Sequence, residues 1–89
     1  MSNDQEAQAL KHIFGEHLRE ARKVVGLTQE ALALHVGLDR TYISLLERGI
    51  KSPTLTTFIR LCRGLDQEPG LFLAQVNELL LQRGEECDY

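Results

Sequence analysis

Residues 28–49, TQEALALHVGLDRTYISLLERG, decide the fold. Two segments of helical pattern, about eight and nine residues long, meet at Gly37. In the first, Ala31, Leu32 and Val36 share a side; in the second, Ile43 and Leu46 do so at i, i+3. Thr28, followed by Gln29 and Glu30, suits the cap of the first helix, and Asp39 suits the cap of the second. Helices this short are marginal alone in water, so they must pack on each other and on a third element. Glycine at the junction takes positive φ without a Cβ clash, so the second helix can leave at a steep angle.

Outward from this unit, the pattern stays helical. A first helix is expected from about Asp4 to Val25, with Asn3 and Glu6 placed as a capping box. Leu10, Phe14, Leu18, Ala21 and Val25 form its stripe, Ile13 and Val24 flank it, and Gly26 stops it. The second helix of the unit ends at Gly49. A loop with Lys51, Ser52 and Pro53 leads to a fourth helix from about Thr54 to Gly64. Its apolar face comprises Leu55, Phe58, Ile59, Cys62 and Leu65. Pro69 suits the first turn of a fifth helix, where its missing N–H costs nothing. That helix is expected to reach about Gln82 and to end at Gly84, with the last five residues loosely held. No alternating run is long enough for a strand. The expected fold is all-α: five helices in a single domain spanning residues 1–89.

Composition narrows the function classes. A chain of 89 residues, 43% of them hydrophobic, supports one modest core. Domains of this size bury only about 60% of their unfolded surface, so a second subunit would add stability. Cys62 and Cys87 make no disulfide framework, and no CxxC pair exists. His12, His17 and His35 each stand alone, so no metal site is expected. Cys62 falls on an apolar stripe and reads as core; Cys87 lies in the tail, where nothing supports a redox role. No nucleophile–base pair or phosphate loop occurs, so neither an enzyme, a cofactor nor a small-molecule ligand is expected. No charged-then-apolar leader is seen, and Leu71–Leu81 is broken by Gln75, Asn77 and Glu78. A cytoplasmic, membrane-free protein is expected.

The net charge of −3 speaks against a nucleic-acid partner until its distribution is read. Residues 11–64 hold nine Lys/Arg against five Asp/Glu, whereas residues 65–89 hold one against six. A basic middle and an acidic tail describe one face that meets phosphate and another turned away. A short helix leaving a tight turn fits the DNA major groove, about 12 Å wide.

The strings LTQEALA, GLDRTYIS and LLERGIKSP resemble the Cro and phage-repressor helix-turn-helix family, also called Xre, and within it the controller proteins of restriction–modification systems. The likeness spans roughly residues 12–65. It implies a five-helix, lambda-repressor-like fold and operator binding as dimers. It also implies residue roles. Gln29 would touch a phosphate and brace the reading helix, at a helix end that itself attracts anions. Arg40 and Thr41 would read bases, arginine through guanine O6 and N7 and threonine through a thymine methyl. Tyr42 would lie over a base edge or cover the neighbouring helix, and Ser44 would donate to a phosphate or base. Arg48, Lys51 and Ser52 would hold phosphates, which position the protein without reading sequence. Glu47 would pair with Arg22, tying the first helix to the reading helix. Lys11, Arg19, Lys23, Arg60 and Arg63 read as solvated charges, at most one of the last two reaching the DNA backbone.

The fifth helix has more apolar residues than one core face needs. Phe72, Val76, Leu79 and Leu80 make a stripe, and Leu71, Leu73 and Leu81 fall outside it. A helix apolar on two faces needs a second surface. A homodimer through Leu71, Leu73, Leu80 and Leu81 is expected, placing two reading helices about 34 Å apart on a near-palindromic double-stranded DNA operator. Two other readings stand beside the sequence-specific regulator: the antitoxin of a toxin–antitoxin pair, and a protein-interaction module on the same fold.

Overall fold

A computed structural model describes residues 3–86, with side chains to Arg83; Cys87 and the end of the tail lie outside the described residues. Five helices follow in order: α1 (Asn3–Val24), α2 (Gln29–Val36), α3 (Arg40–Glu47), α4 (Leu55–Gly64) and α5 (Pro69–Glu86). No strand occurs among the described residues. The last helix passes through Gly84, which does not end it as expected.

Each junction is set by local chemistry. Thr28, Asp39 and Thr54 have extended backbones and accept from the N–H groups of Ala31, Thr41 and Thr57 at 3.0, 2.9 and 3.2 Å. The cap of α5 is Glu68, whose carboxylate accepts from the Leu71 N–H at 2.7 Å, with Pro69 next in the chain. Glu68 is not among the residues the sequence pattern marks as a cap. At the other ends, the chain turns through a left-handed residue: Gly26, Gly37, Gly49 and, after α4, Asp66 at φ 57°. The N–H groups that follow them, on Leu27, Leu38, Ile50 and Gln67, reach back to Arg22, Ala33, Leu45 and Cys62 carbonyls at 2.8–3.1 Å. Each is the 6→1 bond of a Schellman stop.

The core is a three-way meeting of α1, α4 and α5, extended sideways by the α2–α3 pair. Phe14, Phe58 and Phe72 form a triangle with centroids 6.0, 5.5 and 5.6 Å apart, two of its sides edge-to-face. Such ring pairs add about 0.5–1.5 kcal/mol beyond the area they bury. Leu18, Leu32, Ile43, Leu46, Leu61 and Leu65 fill the space between helices. Cys62 is in this core, as its stripe suggested; burial, with the Glu68 charge adding to it, pushes its thiol pKa up to about 11.

Several stripe residues are less buried than their periodicity implied. Leu10 and Val25 are 42% and 41% exposed, Leu79 43% and Leu55 75%. Ala33 and Leu61, which fall outside the expected stripes, are buried instead. Periodicity gives the direction of a side chain but not whether a neighbouring helix extends far enough to cover it.

α1 and α3 touch backbone to backbone. A Cβ on Gly15, in the middle of α1, would collide with the carbonyl oxygens of Leu46 and Glu47. One on Gly49 would lie 2.9 Å from the His12 Cα. Mid-helix glycine costs about 1 kcal/mol relative to alanine. Here that cost permits a contact no other residue allows, and it fixes how far α3 stands from the body of the protein.

Candidate nucleic-acid interface

The orientation of α3 is held at both ends. At its N-terminus the Asp39 cap and the left-handed Gly37 set its departure from α2. At its C-terminus, the buried Glu47 receives three hydrogen bonds. Arg22 Nε donates to Oε2 at 2.7 Å, Arg22 Nη2 to Oε1 at 3.0 Å, and Gln29 Nε2 to Oε1 at 3.0 Å. Arg22 Nη1 also donates to the Leu27 carbonyl at 2.8 Å. The two ion-pair side chains keep only 11% and 3% of their surface exposed. The hydrogen bond to Glu47 raises the Arg22 pKa above its ordinary value; burial opposes this and the Glu47 charge adds to it. A forked arginine–carboxylate pair fixes geometry in two directions at once. Through Glu47, α1, α2 and α3 are locked at one point, and the only carboxylate of α3 is neutralised inside the protein.

The outer side of α3 carries Arg40 and Thr41, both exposed, with Ser44 half-buried behind them. Tyr42 is half-buried and packs against the core. It lies off the line of Thr41, Ser44 and Arg48, nearer its alternative place over a neighbouring element. Arg48, Lys51 and Ser52 are exposed on the α3 end and the loop beyond it. Among the described residues, Arg40, Arg48 and Lys51 enter no ion pair. Gln29, half-buried, stands at the first turn of α2 beside this surface, with one amide N–H committed to Glu47. The structure places Gln29 at the start of α2, Arg40, Thr41 and Ser44 along α3 with Arg48 at its end, and Lys51 and Ser52 in the loop beyond it. This surface bears the cations Arg40, Arg48 and Lys51, and Ser52 at its end also lines an apolar groove between α1, α4 and α5.

The apolar residues of α5 separate into different faces. At about 100° per residue, Leu73 and Leu80 point within about 20° of each other, Leu81 lies about 80° from Leu73, and Leu71 about 160° from it. The four leucines expected in one interface cannot share one flat contact. Leu80 is half-buried against the core, and Leu71, Leu73 and Leu81 are 56%, 47% and 59% exposed. Leu73 instead joins Leu10 and Leu55 at the rim of an apolar groove of about 270 Å³ floored by Phe14, Phe58 and Val76. Leu10 and Leu55 escaped sequence reading because each fits a core stripe; the available signal was that both stand at the first, least covered turns of their stripes.

No group of His, Cys, Asp and Glu among the described residues is placed to hold a metal ion. None of the described helices is long and apolar enough to cross a membrane.

A short helix held rigidly by its neighbours, with its cationic edge outward, defines the helix-turn-helix class, and the chain belongs to the Helix-turn-helix family, whose model matches residues 18–72. It is similar to the control protein C.SmaI of Serratia marcescens, 42% identical over 57 residues, which cover 64% of this chain and 68% of that protein. Among solved structures it resembles the restriction–modification controller protein C.AhdI of Aeromonas hydrophila. That match has a TM-score of 0.66 and 43% identity, over 68% of this chain and 92% of the other. It also resembles the controller protein C.Esp1396I, solved as a tetramer with its natural 35 base-pair operator. There the TM-score is 0.72 and the identity 30%, over 81% of this chain and 95% of the other. The family is one of DNA-binding transcriptional regulators, and this chain is a DNA-binding regulator of that kind.

Proposed function

We propose that the protein is a cytoplasmic, non-enzymatic regulator of the restriction–modification controller type that binds a near-palindromic operator as a homodimer. The observation that carries this reading is the outward Arg40–Thr41 edge of α3 on a helix locked by the Arg22–Glu47–Gln29 cluster. Base reading falls to Arg40, Thr41 and Ser44, with Tyr42 at its margin. Phosphate contact falls to Gln29, Arg48, Lys51 and Ser52. Locking α3 before DNA arrives removes an ordering cost from binding, so more of the contact energy becomes affinity. Two copies meet through the Leu10–Leu55–Leu73 groove, and Leu80, two turns on along the same side of α5, and Leu81 after it extend the contact beyond the groove. Leu71, on the far side of α5, is left outside. The groove suits a two-fold contact because it has both a floor to be covered and leucine knobs beside it, the self-complementarity an isologous interface needs.

The test is titration on DNA selected from random sequence, repeated across salt. Affinity should fall linearly on logarithmic axes as phosphate contacts release counterions. Arg40→Ala should cost about 1–3 kcal/mol on the preferred site and flatten its sequence preference. Binding without a salt slope, or an Arg40→Ala protein that discriminates as wild type does, would overturn the reading.

A further inference from the structure

α4 presents a second stripe that the proposed DNA surface does not use. Leu55, Ile59, Arg60 and Arg63 run along one flank of the helix and line an open cleft of about 760 Å³, walled on the other side by His35 and Val36 of α2. The stripe is about 12 Å long at 1.5 Å per residue. At the inner end the two helices are in contact: Gly64 has no Cβ to collide with the Val36 side chain, and the His35 ring lies over it. The floor is apolar, made by buried Val36 and half-buried Ile59.

The rim is cationic. Arg60, Arg63 and His35 are exposed, no carboxylate lines the cleft, and neither arginine enters an ion pair among the described residues. In a chain of net charge −3, two unanswered arginines over an apolar floor are a local reversal of sign. Arg63 and His35 stand in last helical turns, where the helix dipole favours a cation. Arg60, mid-helix, has no such reason. DNA gives none either: Gln29 stands six residues before His35, about 9 Å away along α2, and Lys51 and Ser52 precede α4 altogether. The His35–Arg63 end of the cleft stands at the C-terminal ends of α2 and α4, whereas Gln29 stands at the N-terminal end of α2 and Lys51 and Ser52 before the N-terminal end of α4.

We infer that this cleft docks an acidic amphipathic helix of a partner protein. An apolar residue of the partner sits on Val36 and Ile59, and carboxylates one turn apart pair with Arg60 and Arg63. The inference rests on the proposed function in taking the cleft to be free when DNA is bound; Leu55, at its outer end, is shared with the proposed groove between copies, so docking falls to the Val36, Ile59, Arg60 and Arg63 part.

The probe is a capped helical peptide with a leucine stripe flanked by glutamates, added to the ¹⁵N-labelled free protein, with a lysine-for-glutamate peptide as control. Amide shifts should be confined to residues 35–36 and 55–64 and be absent with the lysine peptide. The Arg60→Glu/Arg63→Glu variant, and the milder Arg60→Gln/Arg63→Gln, should weaken the peptide at least about tenfold while operator affinity stays within about twofold. Equal binding of both peptides, or no shifts in the cleft, overturns the inference. So does loss of operator affinity with a shallower salt slope in the double variants, which would give the arginines to phosphate. Failure of the regulator reading would appear elsewhere, as wild-type protein without salt-dependent DNA binding.

Discussion

α3 and α5 use their residues in opposite ways. α3 has eight residues, and three of them, Ile43, Leu46 and Glu47, are buried against α1 and α2. Its ends are capped, its C-terminal carbonyls rest on the Gly15 backbone, and its glutamate accepts three hydrogen bonds. α5 has eighteen residues, yet only Phe72 and Val76 are fully buried among those whose side chains are described. Leu71, Leu73, Leu79 and Leu81 are all more than 40% exposed. The shorter helix is over-determined, as a reading helix with one tilt needs to be; the longer one is under-committed, and the proposed self-association uses part of its remaining surface. By that contrast, damage to α3's supports should cost folding energy and DNA binding together. Damage to the outer face of α5 should spare the monomer.

The sharpest test of α3 is Glu47→Ala. It strips the Arg22 guanidinium of a partner in a site where only 11% of its side chain is exposed. Removing one member of a buried pair costs about 3–5 kcal/mol, because the other is left charged and unanswered. Urea unfolding should show that loss, and operator affinity should fall even where the protein remains folded. A change below 1 kcal/mol would mean that Gln29 and the backbone suffice to hold α3. Gly15→Ala comes next. The added methyl must displace two backbone carbonyls, which cannot rotate away as a side chain can. Overpacking costs about 1–3 kcal/mol, and a backbone obstacle puts this case near the upper figure. Alanine is otherwise the better helix former, so a neutral or stabilising outcome would show that α1 and α3 are not in the contact described.

These two positions also mark how far sequence reading reaches. The stripes of α1 and α4, the caps Thr28 and Asp39 and the turn at Gly37 are legible because their causes lie within a few residues of their effects. The Arg22–Glu47 pair spans 25 residues, and nothing in spacing or composition joins them; it came from resemblance to a family. Gly15 looks like any mid-helix glycine until α3 is placed against it. Leu10 and Leu55 obey the core periodicity, but periodicity carries no information about where the covering helix stops. The candidate site was similarly divided. The outward Arg40–Thr41 edge follows from helical phase, and so does the separation of the α5 leucines into different faces, whereas the joining of Leu73 with Leu10 and Leu55 needed the groove between α1, α4 and α5 to be seen.

For α5, Leu73→Glu should leave the monomer's unfolding within about 0.5 kcal/mol of wild type, as surface changes do. It should weaken self-association by about 2 kcal/mol, the worth of burying one leucine. Leu71→Glu, on the other side of the helix, should leave the sedimentation coefficient unchanged. Equal loss from both would mean that the two copies meet along the crest of α5 and not through the groove.

The smallest expected effect lies where α4 hands over to α5. Three of the helix stops place glycine at the left-handed position, but here Asp66 takes it at φ 57°. An L-residue there pays about 1–2 kcal/mol for the closeness of Cβ to the next carbonyl, less for aspartate than for most. The nearby glycine, Gly64, is two residues early, spent on letting α2 approach through Val36 and His35. Packing and chain reversal thus compete for one small residue within three positions, and packing has it. Asp66→Gly should release the strain and lose part of the gain to the freer unfolded chain, a net stabilisation of about 0.5 kcal/mol. A raised urea midpoint at unchanged slope is the expected reading. A lowered one would show that the aspartate side chain does something at this turn that glycine cannot.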